Sequence, residues 1–269
     1  MHRLPRVLAA ALAAGALLTC AACSAGGGTG RGGGTYAGAG DPAVSASPAG
    51  KKDPAAPAAA GALTDVQAAN ARLVLGDLGT RWAPTEGAAT WHDALLKGAV
   101  DEPDCRRLLD GLYEDNLLGE PSGGRAVAGF DDTENGAQLR HVVAAYGRGH
   151  LDTAMDWLRG LPARCGEFTA TDGKGAGRAV QVADLPVPGL GDARQGLRMT
   201  VAGDVEQIPA TLTLDVVAVR VGDSALVLTD GGLYGTDDAS TRQAAERGTQ
   251  RLKDVLAARS AGAPSTRQR

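Results

Sequence analysis

The sequence predicts an α+β fold, in which helices pack on a mostly antiparallel sheet of about six or seven strands. Apolar residues recur at helical spacing in several separate segments, and they alternate with polar residues in the segments between. The connections between the predicted strands are too short for parallel crossovers. One disulfide is also expected, because the predicted domain contains two cysteines, Cys105 and Cys165.

The first predicted helix begins near Leu63, where Thr64 and Gln67 have the spacing of a capping box. Gly79 is expected to end this helix. Trp82 follows in a predicted turn that tucks its side chain under the sheet. Later helices are predicted in three places, namely from Pro103 onward, over Leu151–Leu161, and over 238–258.

Short segments with apolar alternation predict the strands. A turn-rich connection at 131–136 joins the first two as a hairpin, and Gly222 and Asp223 form a two-residue hairpin turn before the last one. The predicted strands cover 125–130, 139–146, 168–172, 178–183, 196–202, 211–221 and 225–229.

The amino-terminal 22 residues have the pattern of an export signal. Arg3 and Arg6 supply a basic start, and an uncharged run rich in Ala and Leu follows from Val7 to Thr19. This run is too short to span a bilayer, which takes about 20 apolar residues. Because cysteines close the run, residues 1–22 are predicted to be a bacterial lipoprotein signal peptide.

Two cysteines compete for the lipid. Cys23 is favoured, because cleavage before it discards Cys20 and leaves an even pair, Cys105 and Cys165, in the domain. Cleavage before Cys20, the alternative, would leave Cys23 as a spare thiol. Palmitate or similar acyl chains on this cysteine would hold the protein on the outer face of the cell membrane.

Composition divides the rest of the chain. Residues 23–61 are mostly Gly, Ala, Pro and Ser, which predicts a disordered tether. A folded domain is predicted over 62–259, followed by a disordered tail over 260–269. The chain has 27 Lys and Arg against 31 Asp and Glu, and the acidic excess lies beyond residue 61. An acidic domain without a basic patch argues against nucleic acid as a partner.

Export predicts that Cys105 and Cys165 form a disulfide, because they would lie in an oxidising compartment. A redox-active or metal-binding pair would be expected to have C-x-x-C spacing or nearby histidines. The sequence has neither feature around these residues.

Catalytic, metal and cofactor motifs give no assignment. Asp131, Thr133 and Asn135 begin like a calcium loop, but Val142 stands where a bidentate Glu is required. The nucleophile motif G-x-S-x-G is absent. The predicted domain has three histidines, His92, His141 and His150, and their spacing is not that of a zinc site. No catalytic residue, metal ligand or cofactor is therefore predicted.

Aromatic residues offer the best candidates for a ligand pocket. Only 3% of the chain is aromatic, so most of these side chains are expected in the core. Ligand clefts nevertheless favour aromatic walls with few polar groups. Trp82 and Trp91 are therefore the predicted ligand-binding residues.

Several features recur in an order that resembles a known layout. Leu63, Thr64 and Ala68 open the domain, a tryptophan follows the first helix, and 103–105, 158–165 and 217–222 complete the pattern. This layout resembles actinobacterial cell-surface lipoproteins. It is also similar to the extracellular sensor domain of PknH-type serine/threonine kinases. The resemblance implies a PsbP-like sheet-and-helix module whose cleft binds an envelope ligand.

Taken together, the sequence predicts a non-catalytic, lipid-anchored envelope protein that binds or senses a ligand or a membrane protein partner. Two alternatives stay open. One is a lipoprotein hydrolase whose site assembles only in space, and the other is a structural or assembly subunit of the envelope.

Overall fold

A computed structural model describes residues 62–262 of the protein. The predicted signal peptide, both candidate lipid cysteines (Cys20 and Cys23), the tether and the residues after 262 lie outside this range. Within it, no helix is long and apolar enough to cross a membrane.

A single antiparallel sheet forms the centre of the domain, which confirms the α+β prediction. The sheet has eight strands instead of six or seven, in the order β1-β2-β3-β8-β7-β6-β5-β4. The strands are β1 Trp82–Pro84, β2 Arg125–Asp132, β3 Gln138–Ala145, β4 Glu167–Thr171, β5 Gly177–Asp184, β6 Ala193–Val205, β7 Ile208–Val221 and β8 Ser224–Gly232.

The unpredicted strand is β1, which corrects the turn expected around Trp82. Three residues that end in Pro84 give no alternation to recognise, and proline is confined to sheet edges because it lacks an N–H. Here β1 pairs only with β2, with Trp82 opposite Asp132. The edge position is therefore compatible with Pro84.

Helices cover both faces of the sheet. A 3-10 turn at Leu75–Asp77 and a π-helix at His92–Leu96 lie between the longer elements. The α-helices are α1 Asp65–Ala71, α2 Pro103–Tyr113, α3 Arg148–Arg159, α4 Leu161–Arg164 and α5 Asp238–Gly262. The last of these extends three residues into the segment predicted as a tail.

The start of α1 confirms the predicted capping box. The Gln67 N–H donates to Thr64 Oγ1 (3.3 Å), and the Thr64 N–H donates to Gln67 Oε1 (3.0 Å). The helix ends at Ala71 and not near Gly79, because Arg72 is extended and the Leu73 N–H donates to His141 Nδ1 on β3 (3.3 Å). This contact draws the chain towards the sheet.

Arg251 of α5 fixes the end of α1 in a second way. Its guanidinium donates to the Arg72 carbonyl (2.6 Å) and to the Asn70 carbonyl (3.1 Å). These carbonyls lie where the helix terminates and would otherwise lack partners. The long carboxy-terminal helix thus holds the short amino-terminal one.

Two hydrophobic clusters fill the space between helices and sheet. Alternate residues of β7 divide between them, so that Val216 and Ala218 face one cluster while Val217 and Val219 face the other. The first cluster contains residues of the π-helix and α2–α4, and the second contains residues of α1 and α5. We call the second side the α5 face.

The predicted disulfide between Cys105 and Cys165 is present. It joins α2 to the residue after α4, with the two Cα atoms 5.5 Å apart, and both cysteines are fully buried. Closing this loop restricts the unfolded chain, which stabilises the folded state.

Replacing both cysteines by alanine (Cys105→Ala with Cys165→Ala) should lower the free energy of unfolding by about 4 kcal/mol, because the unfolded chain regains its loop entropy. Urea denaturation in oxidising buffer measures this change. Reduction of the wild-type disulfide is the matched control and should have a similar effect. A loss below about 1 kcal/mol would contradict the stabilising role.

Candidate functional site

A cleft of about 470 Å³ opens on the α5 face, and we call it the α5 cleft. One wall is the segment Leu185–Pro188, which connects β5 to β6. The other wall is the first turn of α5, with Asp238, Thr241 and Arg242. Asp215 and Val217 of β7 also line it. The lining is thus apolar on one side and polar on the other, as in many ligand clefts.

Gly196 allows the apolar wall to lie directly on the sheet. The Leu185 N–H donates to the Gly196 carbonyl (3.1 Å). A Cβ atom at position 196 would lie 2.3 Å from Val187 Cγ2 and 2.4 Å from the Leu185 carbonyl oxygen. Any larger residue would therefore push the Leu185–Pro188 segment away from β6.

Beside the α5 cleft, three charged residues form a row across adjacent strands. Arg198 on β6 is the register partner of Asp215 on β7, which is the register partner of Asp230 on β8. Arg198 Nε donates to Asp215 Oδ1 (2.7 Å) and Nη2 donates to Oδ2 (2.9 Å), a bidentate pair. Together with Thr241, we call this row the polar ladder.

Thr241 connects the polar ladder to α5. Its Oγ1 lies 3.0 Å from Asp230 Oδ2 and 3.2 Å from Asp215 Oδ2. A hydroxyl has one hydrogen, so it can donate to only one of these carboxylates at a time. A proton on Asp230 would supply the missing donor.

The pKa of Asp230 is high enough for its carboxyl group to carry this proton. Its pKa is raised from 3.8 to about 7, chiefly by burial and also by the nearby negative charges of Asp215 and Asp237. The Thr241 hydrogen bond and the positive charge of Arg81 oppose the shift without cancelling it. A buried carboxyl with a strongly displaced pKa beside a cleft is a mark of a functional site.

Arg198 is also tied to the start of α5. Its Nη2 donates to Thr236 Oγ1 (3.1 Å) and to Asp238. Hydrogen bonds to Asp215, followed by those to Asp238, raise the pKa of the Arg198 guanidinium above its ordinary value. An ion pair of this kind is often no more stabilising than apolar residues of the same volume. The polar ladder is therefore not explained by stability alone.

The two predicted ligand-binding tryptophans do not meet. Trp82 packs in the cluster on the α5 face, whereas Trp91 packs in the cluster on the opposite face. Both are more than nine-tenths buried. Trp91 lines a separate cleft of about 420 Å³ together with Gln138, and neither tryptophan is among the residues that line the α5 cleft.

The three histidines occupy separate places. His92 stacks on Tyr113, with ring centroids 4.8 Å apart, and His150 stacks on Tyr146. His141 is fully buried, and burial, followed by the charge of Arg251, lowers its pKa from 6.5 to about 3. Residues 62–262 contain no group of three or more His, Cys, Asp or Glu that could hold a metal ion.

The calcium-like segment forms the predicted hairpin turn. Asp132 Oδ1 accepts hydrogen bonds from the Glu134 N–H (2.9 Å) and the Asn135 N–H (3.2 Å). Asp132 also pairs with Arg81 (3.2 Å). Its carboxylate is thus occupied within the turn.

Sequence reasoning missed the polar ladder, although one signal was available. Asp215 interrupts the otherwise apolar stretch Leu214–Val219 of β7, and it is fully buried. A charge at such a position requires a buried partner of opposite charge. The missing information was the strand register, which alone places Arg198, Asp215 and Asp230 side by side.

Comparisons with known proteins add little. No protein-family model and no curated protein matches the chain. Among solved structures, it is similar to the extracellular domain of PknH from Mycobacterium tuberculosis, with a TM-score of 0.45 and 13% identity. The match covers 72% of this chain and 97% of that domain. So distant a likeness does not indicate what this chain binds.

The displaced pKa values of Asp230 and His141 make opposite contributions to stability between about pH 4 and pH 6.5. Asp230 keeps its proton in the folded state up to about pH 7, against 3.8 when unfolded, so its contribution is greatest at low pH and is lost as the pH rises through 7. His141 is protonated only below about pH 3 in the folded state, whereas its pKa in the unfolded chain is 6.5. Its contribution to the free energy of unfolding is therefore lost as the pH falls.

The variant Asp230→Asn should reveal the effect of His141 on the pH dependence of stability, because the opposing effect of Asp230 is removed. Between pH 6.5 and pH 4, its free energy of unfolding should fall by about 1.4 kcal/mol per pH unit more than that of the wild type. Urea denaturation across this range measures the slope. His141→Gln is the complementary variant, and its slope should change in the opposite direction. Identical slopes in all three proteins would contradict both assignments.

Proposed function

We propose that the protein is a non-catalytic, lipid-anchored binding module on the outer face of the cell membrane, with the α5 cleft as its ligand site. The observation that carries the proposal is the α5 cleft itself, in which an apolar wall faces Asp215 and Thr241, the two members of the polar ladder that line it. A cleft that combines an apolar wall with a few convergent polar groups is typical of a ligand site. Asp230, whose pKa is displaced, adds to this because it is hydrogen-bonded to Thr241.

The lining favours a ligand with an apolar body and an acidic head group. Pro186, Val187 and Pro188 supply the apolar surface. On the opposite wall, Arg242 is exposed and makes no ion pair or hydrogen bond with any other residue of 62–262. Its guanidinium is therefore free to bind a carboxylate or phosphate.

Binding is favoured over catalysis because the charged and hydroxyl groups of the polar ladder are hydrogen-bonded to each other. Both carboxylate oxygens of Asp215 accept hydrogen bonds from Arg198 and are therefore occupied. Thr241 is 3% exposed and its hydroxyl is held between two carboxylates. The hydrolase alternative would require an accessible nucleophile beside an activating base.

The assembly alternative would require a large exposed apolar surface. Only five large apolar side chains of residues 62–262 are exposed, which supports the binding proposal more than a docking role. They are Val66, Val74, Leu75, Ile208 and Tyr234.

The proposed location rests on the amino-terminal sequence and on the cystine. Disulfides persist mainly in oxidising compartments outside the cytoplasm, and the Cys105–Cys165 bridge fits such a location. The lipoprotein signal pattern adds a route of export and an acyl anchor at Cys23, with Cys20 as the alternative.

A bulky side chain at the mouth of the α5 cleft should weaken the binding of an apolar anion. The fluorescent probe anilinonaphthalene sulfonate has an apolar body and an acidic group, so the full chain should bind it saturably. Arg242→Trp should lower the affinity at least about tenfold, because the indole fills the mouth and the guanidinium is lost.

Arg247→Trp is the matched control for the α5 cleft. Arg247 is equally exposed on α5 but is not among the residues that line the cleft. This variant should bind the probe like the wild type. Equal loss in both variants, or no loss in either, would refute the α5 cleft as the ligand site.

The lipid should reside on Cys23. In a bacterial host that processes lipoproteins, Cys23→Ser should prevent acylation and leave an uncleaved amino terminus, because the acylated thiol is absent. Cys20→Ser should still be acylated and processed. Intact-mass spectrometry of detergent-extracted protein distinguishes these outcomes, and the reverse pattern would assign the lipid to Cys20.

A further inference from the structure

The first turn of α5 is attached to the rest of the domain by side chains from several different elements. Arg81, which precedes β1, donates to Asp237 (2.9 Å), and the Asp237 carboxylate accepts from the Ala239 N–H (3.0 Å). Arg198 of β6 donates to Asp238. The same turn forms one wall of the α5 cleft. A change in these attachments would therefore also change the cleft.

A third attachment, at Thr241, depends on a single proton. Thr241 Oγ1 lies 3.0 Å from Asp230 Oδ2 and 3.2 Å from Asp215 Oδ2. When Asp230 is protonated, its O–H donates to Thr241, which donates in turn to Asp215, so both contacts are hydrogen bonds. When Asp230 is ionised, the one hydroxyl hydrogen can serve only one of the two carboxylates. The other carboxylate then faces the hydroxyl oxygen with no hydrogen between them.

The charges that face Asp230 from β7 and from the start of α5 oppose its ionisation. They are the carboxylates of Asp215 and Asp237. The positive charge of Arg81 favours ionisation, but its guanidinium already pairs with Asp132 (3.2 Å) and Asp237. Among residues 62–262, Thr241 is the only side-chain hydrogen-bond partner of Asp230.

The remaining strands offer Asp230 no free cation on this side of the sheet. Its register partner on β3 is the apolar Leu139. His141, two residues further along β3, is uncharged above about pH 3, chiefly because of burial, which lowers its pKa. Arg198 on β6 is already bonded to Asp215. The cations on these elements are thus paired with other carboxylates or absent, and an ionised Asp230 would gain no new partner from them.

We propose that the proton on Asp230 controls the α5 cleft, so that its loss loosens the first turn of α5 and weakens the binding of an anionic ligand. Two effects act in the same direction. The turn that carries Arg242 loses a hydrogen bond to the sheet, and a negative charge is added to the polar ladder beside the cleft. The effect on the ligand rests on the proposed function of the α5 cleft, whereas the loosening of the turn requires no ligand.

Amide hydrogen exchange of the full chain tests the loosening without a ligand. The pKa of Asp230 is about 7, so the measurement compares about pH 6 with about pH 8. The Thr241 N–H donates to the Asp237 carbonyl (3.0 Å), and its protection, corrected for the intrinsic exchange rate, should fall several-fold across this range. Amides of α3, on the opposite face, provide the internal reference and should change less.

Asp230→Asn is the first comparison variant. Its side-chain amide cannot ionise and keeps an N–H that can donate to Thr241, so the protection of the first turn of α5 should stay level between the two pH values. Any pH effect that comes from other groups would persist in this variant. The same pH dependence in the wild type and the variant, or none in the wild type, overturns the proposal.

Thr241→Val is the second variant, because it keeps the shape of the side chain and removes the hydroxyl. The carboxyl ¹³C resonance of Asp230, identified by its absence in Asp230→Asn, should still titrate in this protein. Protection of the first turn of α5 should no longer follow that titration. Protection that still follows it as in the wild type would show that the hydroxyl is not the connection, which overturns the proposal.

Anilinonaphthalene sulfonate tests the effect on the cleft, because its sulfonate stays ionised throughout this range. The Kd of the wild type should rise several-fold between the two pH values, and that of Asp230→Asn should change less than about twofold. If Arg242→Trp has no effect on the binding of this probe, the proposed ligand site fails, and the exchange measurements still decide whether Asp230 controls the turn. If Arg242→Trp weakens binding but the wild-type Kd does not change with pH, the control of the cleft is overturned.

Discussion

The burial of the central strands on both faces is the constraint on which the rest of the structure depends. Strands β3, β8 and β7 lie inside the sheet order. Buried residues make up most of β3 and β8 and the whole stretch Leu214–Val219 of β7. Each charge on these strands must find a partner within the protein, because an unpaired buried charge is very costly. Asp215 meets this requirement through Arg198, and Asp230 meets it by holding a proton near neutral pH.

The same constraint determines where ligand sites can form. A sheet covered on both faces has accessible clefts only where a covering element stops or leaves the surface. The α5 cleft lies where α5 begins beside the segment Leu185–Pro188. The cleft lined by Trp91 and Gln138 lies where the segment before the π-helix passes the turn between β2 and β3. Both clefts place polar residues beside apolar side chains.

Local signals in the sequence predicted most of the fold. Capping residues, helical periodicity and strand alternation gave the correct element types for most of the domain, and the two cysteines gave the disulfide. The errors arose where a distant contact decides the local structure. His141 ends α1 by accepting from Leu73, which lies 68 residues away. The β6–β7 turn at Glu206 and Gln207 has positive φ at both residues and contains no glycine or asparagine to reveal it.

The candidate sites were less predictable, for the same reason. Trp91 could be chosen as an aromatic residue, but Gln138, which lines the same cleft from β3, had no distinguishing sequence pattern. The polar ladder depends on the register of three strands, which residue types alone do not determine. Residue types and their spacing could not predict which polar groups the folded chain would bring together.

The attachment of α1 to α5 has a mechanical consequence. Arg251 and His141 hold the segment Asn70–Leu73 by three hydrogen bonds, and each reaches it from a distant part of the chain. A pulling force applied at residue 62 would reach the start of β2 first, because the Gly124 N–H donates to the Leu63 carbonyl (2.6 Å) and the Arg125 N–H donates to Asp65 (3.1 Å). Only after these contacts had broken would the load pass through α1 to the Asn70–Leu73 segment. Tension on the amino-terminal side is therefore carried by β2 before it reaches α5.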